Sequence, residues 1–146
     1  MAATVIATIT LKMKFDCKKI SIDDGEFGCT VSLSEKPDDN DPSKSKMTLK
    51  MSIDEVLASI GQYVLLQRTY PEDEFEEDYY YIETSNQDIS SRLKDYRIDL
   101  YRSKFLMAFD NELFEISIKS NEKEFDNLKK ALKKLTNKTG ELIIHD

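Results

Sequence analysis

The sequence has no tryptophan, one histidine, four glycines, three prolines and two cysteines. The scarcity of histidine, of glycine and of cysteine each removes a class of function. The single histidine, His145, stands at the second-last position, which rules out most familiar catalytic triads and metal centres built on imidazoles. Four scattered glycines do not make a phosphate-cradling loop, which needs several in one turn so that backbone N–H groups can close on the anion. Cys17 and Cys29 lack a C-x-x-C arrangement, so neither zinc binding nor dithiol chemistry is expected, and both should be reduced thiols. No apolar run approaches the ~20 residues that span a bilayer, and no basic-then-apolar leader opens the chain, so the expected location is the cytoplasm. Positive charge is short as well. Lys and Arg number 21 against 28 Asp and Glu, a net charge of −7. That excess repels nucleic acid and anionic membranes, and suits a basic protein as partner.

What remains is enough to fold. A hydrophobic fraction of 40% in 146 residues supports a core, and residues 1–146 are read as a single α+β domain. From Val5 to Phe15 apolar residues alternate with Thr and Lys, the period of a half-buried strand. Asp24-Gly25 marks a hairpin turn of the primed kind, with Ile20 and Ile22 before it and Phe27, Cys29, Val31 and Leu33 on one face after it. Cys29 thus reads as a core residue. The polar loop from Glu35 to Lys46 is rich in Asp and Asn, but counted from Asp38 it has serine at the sixth position and leucine at the twelfth, where a calcium-binding loop needs Gly and Glu. No metal and no cofactor are expected. Met47, Leu49 and Met51 alternate as a strand. A capping box at Ser52 and Glu55 opens a short helix over Ile53–Ile60 that Gly61 would close.

Later segments repeat the pattern. Tyr63–Arg68 and Tyr79–Thr84 are strand-like. Ser85–Asp95 reads as a polar connection. Tyr96–Arg102, Lys104–Phe109 and Leu113–Lys119 alternate again, with turns at Ser103-Lys104 and, better, Asp110-Asn111. Asn121 and Glu124 form a second capping box, and Phe125, Leu128, Leu132 and Leu135 follow at helical spacing. Glu141–Ile144 could add an edge strand. The expected architecture is a mainly antiparallel sheet of about six to eight strands with one face packed by the C-terminal helix.

The candidate site is the connection between the two central strands, Thr69 to Asp78. Every charge from Pro71 to Glu83 is negative: Glu72, Asp73, Glu74, Glu76, Glu77, Asp78 and Glu83. These carboxylates stand beside Tyr70, Phe75 and the run Tyr79, Tyr80 and Tyr81. Strand parity puts Tyr79 and Tyr81 on one face and Tyr80 with Ile82 on the other, so one tyrosine at least belongs to the core. Aromatic rings could stack bases, but the surrounding carboxylates argue for a protein partner. Carboxylate pairs can hydrolyse glycosides only in a cleft with one carboxyl in an apolar setting, which an exposed turn does not offer. With no G-x-S-x-G either, no enzymatic activity is expected.

Tyr63-Val64-Leu65-Leu66-Gln67-Arg68, an acidic stretch, and Tyr80-Tyr81-Ile82-Glu83 together resemble the strand pair of the immunity protein 10 family of bacterial polymorphic-toxin systems. The order downstream is similar: strands at Ile98–Arg102, Phe105–Phe109 and Phe114–Ile118, then a helix with Phe125, Leu128 and Leu132. The resemblance spans Tyr63 to Leu135. It implies a cytosolic, non-enzymatic protein that binds and blocks a toxin domain made by the same cell. The expected contact residues are Glu72, Asp73, Glu74, Glu76, Glu77 and Asp78 for charge, with Tyr70, Phe75 and Tyr79 as anchors. An acidic secretion chaperone and a small-ligand-binding domain are the alternatives; a monomer fits the inhibitor, a stable dimer the chaperone.

Overall fold

The computed structural model describes residues 10–36, 52, 61–86 and 90–145. The expected strand at 47–51, the helix over 53–60 and most of the Asp-rich loop lie outside them. In chain order the elements are β1 (Thr10–Asp16), β2 (Lys19–Asp24), β3 (Gly28–Ser34), β4 (Tyr63–Thr69), β5 (Tyr79–Thr84), β6 (Ser90–Arg92), β7 (Tyr96–Tyr101), β8 (Lys104–Phe109), β9 (Glu112–Ser117), α1 (Glu122–Thr136) and β10 (Glu141–His145).

The expected single sheet is two. One has the strand order β1-β9-β8-β7-β10, the other β2-β3-β4-β5-β6, which makes ten strands among the described residues rather than six to eight. The second sheet is antiparallel throughout. In the first, β1 runs parallel to β9 and β10 parallel to β7. Alternation in sequence fixes which face of a strand is buried and leaves its neighbour open, so it could not show that β1 pairs across the chain instead of with β2. The extra strand β6 sits in the stretch read as a polar connection. It is three residues long and pairs, among the described residues, only with β5, and Leu93 just after it is buried.

Each sheet turns one face inward. Phe105, Met107, Phe114, Ile116, Ile98 and Leu100 from the first meet Cys29, Val31, Leu33, Val64, Leu66 and Ile82 from the second in one apolar cluster. Helix α1 completes it with Phe125, Leu128, Ala131, Leu132 and Leu135. The helix starts where expected. The Asn121 side chain accepts from the Glu124 N–H at 2.8 Å, and the Glu124 carboxylate accepts from the Asn121 N–H at 3.3 Å. It packs on β2, β3, β4 and β10. Its four large apolar residues contribute on the order of 6–12 kcal/mol of burial before chain entropy is subtracted.

Two expectations about faces are corrected. Leu11 is 52% exposed, because the β1–β9 register slips between Leu11 and Met13. The extra residue of such a bulge reverses the side-chain parity before it. Phe27 is 75% exposed, because β3 begins only at Gly28 and the loop ahead of it closes by a Gly25 N–H to Gly28 carbonyl bond of 2.9 Å. Gly25 does not adopt a positive φ, so this is not the primed two-residue turn. The demanding glycine is Gly28: a Cβ there would lie 2.3 Å from the Arg68 carbonyl oxygen. Asp110 and Asn111 do form the expected turn, with φ of 52° and 63°.

Candidate acidic hairpin site

Arg68 stands at an inward position of β4, in phase with Val64 and Leu66, and is buried like them. A buried guanidinium must be paired and hydrogen-bonded to be tolerated. Its Nε donates to Asp78 Oδ2 at 2.6 Å and its Nη1 to the Lys134 carbonyl in the last turn of α1 at 2.7 Å. The guanidinium also lies 5.0 Å from the Tyr70 ring centroid and 5.7 Å from that of Tyr80. Lys138 Nζ donates to the other Asp78 oxygen at 3.2 Å. Burial alone would raise the Asp78 carboxyl, but the bonds from Arg68 and Lys138 overcome it and hold the group below the usual carboxylate range.

Asp78 is therefore not a displayed carboxylate. Its side chain is 7% exposed and acts as the clasp that closes the base of the hairpin connection on the helix. Tyr70 is likewise half-buried beneath Arg68, and its N–H donates to the Phe27 carbonyl at 2.9 Å. The remaining acids meet the expectation of display: Glu72, Asp73, Glu74, Glu76 and Glu77 are all exposed. Phe75 among them is 88% exposed. The connection is folded on itself, with the Glu72 N–H donating to Glu76 Oε2 at 3.1 Å and the Phe75 N–H to Asp73 Oδ1 at 2.9 Å.

On β5 the parity is as read. Tyr80 and Ile82 are buried, and Tyr79 is 44% exposed. The Tyr79 and Tyr81 rings stack with centroids 6.4 Å apart, and the Arg92 guanidinium lies 5.5 Å from the Tyr79 centroid. Tyr63 on β4 donates to Glu83 Oε2 at 3.2 Å, and burial, followed by the Glu83 charge, pushes its phenol up. Burial also raises both thiols; Cys29 is fully buried and Cys17 nearly so.

Sequence reasoning missed two components. The β2–β3 tip brings Glu26 and Phe27 beside the hairpin, because β3 and β4 pair at Gly28 and Thr69. Nothing in the local sequence reveals that adjacency. The Arg68 clasp was in principle legible, since a charged residue at an apolar parity position demands a partner.

Comparison with protein-family models, curated proteins and solved structures finds no match to this chain. No helix among the described residues is long and apolar enough to cross a membrane.

Proposed function

We propose that this chain is a non-enzymatic inhibitory binding protein: an immunity protein that neutralises a cognate bacterial toxin domain in the cytoplasm. The observation that carries the reading is the connection between β4 and β5. Five exposed carboxylates surround a phenylalanine that is 88% exposed, on a loop pinned at its base by Arg68 and Asp78. Burying such a ring against a partner removes apolar surface from water and is favourable. Preordering the loop lowers the entropy lost on docking. The acids supply attraction over a Debye length, raising the encounter rate with a basic surface, and Phe75 supplies apolar contact once the surfaces meet. Glu72, Asp73, Glu74, Glu76 and Glu77 form the charged contact set, with Phe75 and Tyr79 as anchors. Tyr70 and Asp78 hold the loop in shape from beneath.

The reading requires a toxin gene adjacent to this one, and the test is co-expression with that toxin domain. Cells producing both should grow, and cells in which the five exposed acids are changed to Gln or Asn should lose most of that protection at equal protein level. Full protection by the neutral variant would remove the acidic loop from the mechanism.

A further inference from the structure

The two sheets present very different faces to their surroundings. The outer face of the first sheet is laced with ion pairs: Lys14 and Lys104 to Glu115, Lys12 to Glu112, and Arg97 to Asp99, which also shares a hydrogen bond with His145. That is how a solvated face of a 34% charged chain ordinarily looks. In the second sheet the edge strands carry charge on this face, Lys19 and Asp23 opposite Ser34 and Thr30 and Arg92 opposite Tyr81, but the three central strands do not follow the pattern. Along β3, β4 and β5 the buried positions alternate with outward ones, and these outward positions carry one charged side chain, Glu83. The others on β3 are Gly, Thr and Ser. Those on β4 and β5 are Tyr63, Leu65, Gln67, Thr69, Tyr79 and Tyr81.

We infer that this outer face of β3-β4-β5 is the body of a docking surface for a folded basic protein, with the acidic loop as its rim. The inference rests on the inhibitor reading and extends it from a loop to a sheet face. Three observations support it. Tyr with Ser, Thr and Gln is the composition of surfaces that recognise proteins, because tyrosine offers area with little rotamer entropy to lose. Depletion of charge marks the centre of an interface, where desolvating an ion is costly. The aromatics are already ordered by the Tyr79–Tyr81 stack, by Arg92 over Tyr79, and by the Tyr63 to Glu83 hydrogen bond. Thr69 and Tyr79 pair at the strand ends where the acidic connection begins, so face and rim are one continuous surface. The occupant follows from charge. A second copy carries the same −7 charge, which opposes its approach, whereas a cationic partner is drawn to the rim and meets neutral polar and aromatic groups behind it.

The experiment uses the full chain and the purified toxin domain that the inhibitor reading requires in the adjacent gene. Association and dissociation are followed for the wild type, for the Tyr79→Ala/Tyr81→Ala variant, for Thr30→Glu, for the five-acid neutral variant, and for Leu106→Ala on the outer face of the other sheet. Thermal midpoints confirm folding of each. The Tyr79→Ala/Tyr81→Ala variant and Thr30→Glu should each dissociate about tenfold faster or more, the tyrosine variant with association within about twofold of wild type. Leu106→Ala should change neither rate. Hydroxyl-radical labelling of Tyr79 and Tyr81 should be strong in the free chain and suppressed in the complex. If the neutral loop slows association while both face variants dissociate like wild type, the inhibitor reading stands and the docking face is wrong. Protection of the two tyrosines in the free chain, or a dimer that Thr30→Glu dissolves, would also overturn the inference. Failure of the wild type to bind the toxin domain would remove both.

Discussion

At the scale of single residues, the Arg68–Asp78 pair sets the geometry of the candidate site and gives a pH signature. The Asp78 carboxyl is held below its ordinary range in the folded chain. A depressed folded pKa means that the unfolded chain takes up the proton first as pH falls. The stabilisation is therefore complete above the usual carboxylate pKa and disappears as pH drops through the depressed one. Asp78→Asn leaves Arg68 buried without a counter-charge and should cost about 3 kcal/mol near neutral pH. In urea unfolding followed from neutral to about pH 2, the gap between wild type and variant should shrink toward the acid end; a constant gap would show that the charge is irrelevant. Gly140 is the second sensitive position. Its φ is +79°, and a Cβ there would lie 2.5 Å from the Tyr96 ring, which is fixed by its hydroxyl donating to the Leu135 carbonyl at 2.6 Å. Gly140→Ala should lower stability by about 1–3 kcal/mol, measured by denaturant titration.

At the scale of elements, the helix was the most legible part of the sequence. The Asn121–Glu124 capping box and the apolar spacing from Phe125 to Leu135 are both local signals, and both are in place. Leu128→Ala should destabilise by about 2–5 kcal/mol, because the side chain is fully buried and its removal leaves a cavity in the core. Asn121→Ala should cost only about 1 kcal/mol, and the two together separate packing from capping in one thermal-melt series. The acidic connection behaves differently. Its five exposed acids make no ion pair among the described residues, and Gln or Asn can still accept the loop hydrogen bonds. Neutralising them should shift stability by less than about 1 kcal/mol. Strand β6 and the exposed Phe27 were hidden for opposite reasons. The first is too short and polar to show periodicity, and the second extends an apolar alternation past the point where the ladder stops.

At the scale of the whole molecule, face parity was legible and partnership was not. Tyr80 and Ile82 pointing inward, Cys29 in the core and the turn at Asp110-Asn111 all follow from neighbours in sequence. The split into two sheets depends on β1 meeting β9 and β10 meeting β7, pairings that no local pattern specifies. The same limit hid the site's full extent. The acids were visible as a run of letters, but the β2–β3 tip beside them and the charge-poor face behind them exist only once β3, β4 and β5 are aligned. The proposed division of labour, rim for attraction and face for retention, assigns the salt dependence of binding to the association step. The most direct measurement is the association rate with the toxin partner that the proposed function requires, at about 20 mM and about 500 mM salt. The rate should fall about tenfold or more at the higher salt, and the five-acid neutral variant should lose most of that dependence. Equal rates at both salt concentrations, for wild type and variant alike, would contradict the account.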